Sequence, residues 1–174
     1  MNQRFERIDG LHPMLHAPAT RLIALCDEKL HRTLMVVYGW RSVQEQQLIY
    51  QQGRAMNRET GLWEIADTAL VVTRALPGTS AHNVITIKGD RAAMALDVAP
   101  LHADGTADWA PGEDFLDKLY EISWKCGLDP LGDPTGSYLA YDKLHFEEPQ
   151  WRLKLEGLGC LLPALTTTTG SLIA

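Results

Sequence analysis

Two strand-like runs on either side of a turn constrain the fold of this chain more than any other feature. The runs are VITIK (84–88) and AAMALDVAP (92–100), and Gly89 and Asp90 lie between them. Two such runs around a glycine-containing turn predict an antiparallel hairpin. Asp97 shares a face of the second strand with small alanines, which leave room around its carboxylate. The pattern therefore predicts a carboxylate that faces a cleft.

The rest of the chain predicts further helices and strands. Apolar residues recur at helical spacing from about Pro18 to Arg32, and the following TLMVVYGW is typical of a buried strand. Ser42 and Glu45 form a capping-box pattern at the start of a helix that ends at Gly53. Further predicted elements are a long connection with some helix (54–80), a helix in GEDFLDKLYEISWKCG (112–127), and a turn and strand in YLAYDKLHFEEP (138–149).

Composition and charge narrow the class of protein. The chain has 174 residues, 45% of them hydrophobic and 22% charged, which suits one globular domain. Its formal net charge of -6, without a cluster of lysine and arginine, argues against nucleic acid as a partner. The three cysteines form no Cys-x-x-Cys pair, which predicts buried reduced thiols. No run reaches the roughly 18 apolar residues of a membrane span, so we expect no stable membrane insertion.

Three polar residues within or at the ends of apolar segments are candidates for a metal site. His82, Asp97 and His145 could converge from different elements. A catalytic zinc site commonly uses three such ligands and leaves a fourth position for water. Each of them alone is more often a hydrogen-bonded residue at a strand end. Spacing alone does not select this trio from the six histidines.

A metal-activated water also needs a base, and two carboxylates lie near His145 in the sequence. Glu147 would point the same way as His145 in a strand, whereas Asp142 faces the site only if the chain turns. Periodicity alone slightly favours Glu147. Ser80, in GTSAH, does not match the Gly-x-Ser-x-Gly elbow of serine hydrolases, so a hydroxyl that caps or orients a neighbour is the simpler interpretation.

Five blocks of the sequence resemble a known family. They are GLHP (10–13), GWRSVQEQQLIYQQGR (39–54), VTRALPGTSAHN (72–83), AAMALDVAP (92–100) and DKLHFEEP (142–149). The chain resembles the zinc D,D-/L,D-peptidases that cut peptidoglycan stem peptides, the VanY and D-Ala-D-Ala carboxypeptidase family. Within that family it is most similar to phage endolysins that act as L-alanyl-D-glutamate endopeptidases. The family pattern is Ser-x-His, a short Gly-x-Ala-x-Asp strand, and a late His-Phe after an acidic residue.

The resemblance implies a fold and a chemistry. The fold is α+β, a small antiparallel sheet flanked by helices of the Hedgehog/D-Ala-D-Ala-peptidase type. A single zinc peptidase domain would cover residues 1–158, followed by a C-terminal tail (159–174). The implied cofactor is Zn2+ and the implied partner is a peptidoglycan stem peptide. We expect a monomer.

The resemblance also assigns roles to individual residues. The zinc ligands would be His82, Asp97 and His145. Asp142 would be the general base, in place of Glu147. Arg41 matches the arginine that holds a substrate carboxylate or carbonyl, and Ser80 matches a serine that lines the substrate site.

Two features depart from the family pattern. VITIKGDR (84–91) is interposed between the histidine and the aspartate, which an inserted hairpin explains, and Ala93 stands where glycine is usual. The expected function is cleavage between L-Ala and D-Glu in the wall. Trimming of terminal D-Ala and a non-catalytic wall-binding module are the alternatives. A phage lysin of this kind, which has no secretory signal, would be made in the host cytoplasm and reach the wall after release by a holin.

Overall fold

The computed structural model describes residues 7–131 and 142–163. The helices are α1 (Pro13–Leu30), α2 (Val43–Tyr50), α3 (Glu113–Cys126) and α4 (Trp151–Lys154). The strands are β1 (Leu34–Tyr38), β2 (Arg54–Met56), β3 (Trp63–Ile65), β4 (Ile85–Thr86), β5 (Ala95–Pro100), β6 (Asp129–Pro130), β7 (His145–Glu147) and β8 (Cys160–Leu161). Single turns of 3-10 helix lie at Ile8–Gly10, Thr68–Leu70 and Ala81–Asn83.

A four-stranded antiparallel sheet forms the centre of the molecule, with the strand order β1-β5-β7-β6. Strand β5 has a partner on each side, and all six of its residues are buried. Two two-stranded sheets, β2 with β3 and β4 with β8, lie outside it. The predicted α+β fold with a small antiparallel sheet is therefore confirmed.

One face of the central sheet packs against α1 and α3. Leu96 of β5 and Phe146 of β7 are paired across the sheet and belong to the core that these helices complete. Because side chains alternate along a strand, the next pair, Asp97 and His145, projects from the opposite face. Helical packing on one face thus leaves the other face available for a polar site.

The predicted hairpin between residues 84 and 100 is correct in its turn and wrong in its strand partners. The chain does fold back, since Ala92 N donates a hydrogen bond to Val84 O (3.1 Å) and Thr86 N donates to Asp90 O (2.8 Å). However, β4 pairs with β8, and β5 pairs with β1 and β7. The physical reason is that β5 is mostly apolar and all of its residues are buried, so it lies in the interior of the sheet with a strand on each side.

Two other predicted segments differ from the structure. Helix α1 begins five residues before Pro18, because Pro13 occupies its first position and His12 Nδ1 accepts a hydrogen bond from Met14 N (3.3 Å). The segment 54–80 contains the hairpin of β2 and β3 and one short 3-10 turn, where we expected a connection with some helix.

Several predicted elements are confirmed. Ser42 and Glu45 form the capping box of α2, and Gly53 after it adopts a left-handed φ of 73°. Helix α3 and strand β7 lie where the sequence places them. All three cysteines are buried and none forms a disulfide.

No helix in the described part of the chain is long and apolar enough to span a membrane.

Some sequence predictions lie partly outside the described residues. The turn predicted before β7 begins at residue 138, and residues 138–141 are not among those described. The same holds for residues 164–174 of the predicted tail. The described part of that tail contains β8, in which Cys160 is buried against Val84 and Trp151.

Candidate metal centre

Three side chains of metal-ligand type converge beside the central sheet. His82, Asp97 and His145 are buried, and one ligand atom of each lies within 4.8 Å of the other two. Among residues 7–131 and 142–163, no other group of three histidine, cysteine or carboxylate side chains is arranged in this way. The three candidates from the sequence therefore form one cluster.

Sheet register and a capped turn position the cluster. Asp97 and His145 are direct partners across β5 and β7, so their side chains project side by side. His82 lies in the 3-10 turn that precedes β4. Its backbone N–H donates to Ser80 Oγ (3.3 Å), and Ser80 N in turn donates to Asn83 Oδ1 (3.3 Å). Ser80 thus caps the turn that carries His82, as the simpler interpretation of its hydroxyl predicted.

The three inner atoms form a nearly equilateral triangle. His82 Nε2 lies 3.2 Å from His145 Nδ1 and 3.2 Å from Asp97 Oδ1, and His145 Nδ1 lies 2.9 Å from Asp97 Oδ1. Zinc–nitrogen and zinc–oxygen bonds of about 2.0–2.1 Å in a tetrahedral site place ligand atoms about 3.3 Å apart. The spacing of these atoms fits three ligands of one tetrahedral ion.

The outer nitrogens of both imidazoles have acceptors of their own. His82 Nδ1 lies 2.6 Å from Gly39 O, and His145 Nε2 lies 3.3 Å from Glu147 Oε2. A carbonyl or carboxylate oxygen accepts only, so each outer nitrogen carries a proton, and the inner nitrogen of each neutral ring presents a lone pair. Two lone pairs and a carboxylate oxygen then face one point, an arrangement that requires a cation there. The donor set therefore fits zinc.

Charge in the cluster follows the same logic. Burial on its own raises the pKa of Asp97, but the His82 and His145 imidazoles outweigh it and hold that pKa well below its usual range. Burial lowers the pKa of His145, but hydrogen bonds to Asp97 and Glu147 outweigh burial and raise it to about 10. Without a metal, a proton on His145 thus supplies the cation that the three inner atoms require.

Arg41 supports the carboxylate of the cluster from behind. Arg41 Nη2 donates to Asp97 Oδ2 (3.0 Å), the oxygen that is not directed at the histidines. Arg41 Nη1 donates to Gln46 Oε1 (2.9 Å), and Gln46 Nε2 donates to Ala75 O (3.0 Å). Arg41 is itself buried, with its guanidinium 5.0 Å from the centre of the Tyr38 ring. In this structure its contacts orient a candidate metal ligand.

Asp142 lies at the open side of the cluster. Its Oδ2 is 3.8 Å from His145 Nδ1, and its side chain is 49% exposed, in contrast to the buried Asp97. The partial loss of hydration at this position and the nearby Asp97 carboxylate raise the pKa of Asp142 to about 6. A carboxylate with a pKa near neutrality, next to a cluster that can hold a metal and accessible to water, suits general-base chemistry. Glu147 contacts the outer nitrogen of His145 and so faces away from the triangle.

Sequence reasoning missed the residues that orient the cluster. Gln46 is a fully buried polar residue on α2. Only its position one turn after Ser42, the N-cap residue of that helix, indicates that it lies close to Arg41. Gly39 orients His82 through its backbone carbonyl, and a backbone contact of this kind cannot be predicted from the residue type. The alternation of side chains along β7 correctly predicted that Glu147 lies on the same side as His145. In the structure, however, Glu147 contacts the outer nitrogen of that ring and does not face the triangle.

Comparison with solved structures identifies the fold as that of the VanY-like peptidases. A mutant of the vancomycin-resistance D,D-pentapeptidase VanY, from a VanB-type resistance cassette and in complex with Zn(II), aligns with a TM-score of 0.52. The alignment covers 79% of this chain and 72% of that one, at 18% identity.

Two further structures align over most of this chain. VanYB in complex with D-alanine-D-alanine has a TM-score of 0.50 at 19% identity, covering 86% of this chain and 78% of that one. The L-Ala D-Glu endopeptidase ChiX of Serratia marcescens has a TM-score of 0.47 at 18% identity, covering 84% and 86%. No family model and no curated protein sequence matches the chain.

Proposed function

We propose that this protein is a zinc-dependent peptidoglycan hydrolase that cleaves the stem peptide between L-Ala and D-Glu. The observation that carries the proposal is the triangle of His82, Asp97 and His145, whose inner atoms are all of metal-ligand type and lie 2.9–3.2 Å apart. A solved protein with the same fold, VanY, is in complex with Zn(II), which supports the choice of metal.

The residues around the triangle suit hydrolysis of an amide. When bound, zinc lowers the pKa of a coordinated water toward about 7 and polarises a carbonyl oxygen. Asp142 takes the proton of the attacking water at its carboxylate and delivers it to the leaving nitrogen. Arg41 holds Asp97 in place, while the half-exposed position of Asp142 lets it reach water and substrate together.

The scissile bond is proposed from the sequence resemblance. The Ser-x-His and late acid-x-x-His-Phe blocks, with aspartate as the acid, resemble the endolysin branch of the family. A specific observation favours a second candidate, trimming of terminal D-Ala, because VanYB shares the fold and is solved in complex with D-alanine-D-alanine.

Digestion of purified sacculi separates these candidates. The zinc-loaded protein is incubated with sacculi, and the new termini are identified by mass spectrometry. A new D-Glu amino terminus is expected, and free D-Ala would favour the second candidate. Chelation should stop the release, and added zinc should restore it. Wall binding that chelation does not affect, with no cleavage at all, would instead indicate a non-catalytic wall-binding module.

We further propose that the protein acts as a phage lysin at the host wall. Expression in a bacterial cytoplasm with and without a holin tests this step. Lysis is expected only when the holin is present and the triangle is intact, so His82→Ala is the matched control. Lysis by the His82→Ala variant would contradict the proposal.

A further inference from the structure

Asn83 is a buried polar residue that directly follows the candidate ligand His82 in the chain. Its side chain has no exposed surface. An asparagine amide carries N–H donors on one atom and an acceptor on the other, and both atoms need partners when the residue is buried. The hydrolysis proposed above gives this side chain no role, so its contacts indicate what it contributes.

The oxygen of the Asn83 side chain fixes the turn that precedes it. Asn83 Oδ1 accepts from Gly78 N (3.0 Å) and from Ser80 N (3.3 Å). Ser80 Oγ in turn accepts from His82 N (3.3 Å), and these bonds together cap the 3-10 turn Ala81–Asn83. The oxygen therefore sets the shape of the turn that carries His82.

The nitrogen of the same amide binds a distant part of the chain. Asn83 Nδ2 donates to Arg41 O (2.9 Å) and to Ser42 O (3.4 Å), just before α2 begins. Arg41 N donates to His82 O (3.0 Å). The backbone of Arg41 is therefore held at its N–H by His82 and at its carbonyl by Asn83.

These contacts close a ring that passes through the candidate metal centre. From Asn83 the ring leads to the backbone of Arg41, whose guanidinium donates to Asp97 Oδ2 (3.0 Å). Asp97 Oδ1 then lies 3.2 Å from His82 Nε2, and His82 is the chain neighbour of Asn83. One side chain thus connects a candidate ligand to the arginine that holds a second ligand.

Sheet pairing alone does not set the distance between these two ligands. Asp97 lies in β5, which pairs with β1 and β7, whereas His82 precedes β4, which pairs with β8. A backbone hydrogen bond from Met94 N to Ala81 O (2.9 Å) anchors the start of the turn near β5. The amide of Asn83 anchors the end of the turn, so both ends are fixed relative to Asp97.

We propose that Asn83 is a positioning residue of the metal centre, which holds His82 at the correct distance from Asp97 by binding the backbone of Arg41. The proposal rests on the function proposed above for the identity of the metal and deepens it. Asn83 supplies no ligand atom, so its effect on zinc passes through the residues that it orients.

The zinc affinity of Asn83 variants, measured by competition with a chelator, tests this role. Asn83→Asp keeps an oxygen that accepts from Gly78 N and Ser80 N but removes the NH2 group that donates to Arg41 O. Zinc affinity should fall about tenfold, because the turn is no longer fixed to Arg41. Asn83→Ser removes the same donor without adding a charge, and it gives the test if Asn83→Asp does not fold.

A control variant separates positioning from a loss of general stability. Leu119 is fully buried in α3, on the other face of the central sheet. Leu119→Ala should lower the melting temperature and leave zinc affinity unchanged. If the Asn83 variants also lose only melting temperature and bind zinc as tightly as the parent, Asn83 is a purely structural residue and the proposal is wrong.

Combining two substitutions tests the route through Arg41. If Asn83 acts through that residue, Asn83→Asp together with Arg41→Lys should weaken zinc binding by less than the product of the two separate effects. A full product would show that the two residues act independently and would contradict the proposal. Dependence of zinc binding on Asn83 in a protein that does not cleave sacculi would count against the proposed function alone.

Discussion

At the scale of single residues, Asp97 shows how the candidate centre is built. One oxygen faces both histidines, while the other accepts from Arg41, so both carboxylate oxygens are committed in a buried position. A buried charge is tolerated only when its partners are in place. The surrounding contacts thus hold the ligand atoms before any metal arrives.

The base can be distinguished from the orienting carboxylate by substitution. Asp142→Asn should retain zinc and lower kcat by about 10²–10⁴-fold, because it removes the proton acceptor without altering the triangle. Glu147→Gln should weaken zinc binding by roughly 10-fold and leave most activity at saturating zinc, because its carboxylate only orients His145. Activity and bound zinc are measured on the same samples. An active Asp142→Asn protein beside an inactive Glu147→Gln protein would transfer the role of base to Glu147.

Arg41 allows a test between two roles. If it orients Asp97, Arg41→Lys should reduce zinc affinity about 10–100-fold, because lysine cannot contact Asp97 and Gln46 at once. If it acts only on substrate, as the sequence resemblance implies, zinc affinity should stay constant while KM rises. Competition with a zinc chelator measures the affinity, and Arg32→Lys controls for loss of a guanidinium elsewhere.

At the scale of elements, the sequence was sufficient to predict the helices whose ends and faces depend on neighbouring residues in the chain. Helix α2 was predictable from its capping box and glycine stop, and α3 from its amphipathic pattern. The strands that pair with β5 could not be predicted in this way, because pairing with β1 and β7 depends on contacts between residues distant in the sequence. The ligand residues could be proposed from the family resemblance, but their orienting partners Gln46, Gly39 and Glu147 required the structure.

Strand β8 gives a prediction about the domain boundary. It pairs with β4 and buries Cys160 beside Ala81 and Val84, which flank His82. A chain that ends at residue 158 should therefore lose roughly 2 kcal/mol of unfolding free energy and bind zinc more weakly. A chain that ends at residue 163 retains β8 and is the control. Urea unfolding of both proteins measures the difference, and equal stability would mean that β8 is dispensable.

At the scale of the whole molecule, the candidate centre joins three distant parts of the chain. His82, Asp97 and His145 come from a turn, a central strand and a late strand, and they meet only when the sheet is complete. A metal held by all three binds the native state far better than the unfolded chain. Its binding free energy therefore adds to the stability of the fold.

The coupling between zinc binding and the stability of the fold should depend on pH. The pKa of His145 is raised to about 10 in the metal-free fold, above the usual value of 6.5, so protonated His145 stabilises that fold below pH 6.5. This contribution is lost as the pH rises from 6.5 through about 10.

Zinc must displace the same proton from His145. At pH 7 its binding should therefore release about one proton, and its apparent affinity should rise about tenfold per pH unit from pH 6 to 7.5. The increase in melting temperature caused by zinc should grow over that range. Calorimetry in buffers of different ionisation enthalpy counts the protons, and a count of zero would mean that zinc does not displace a proton from His145.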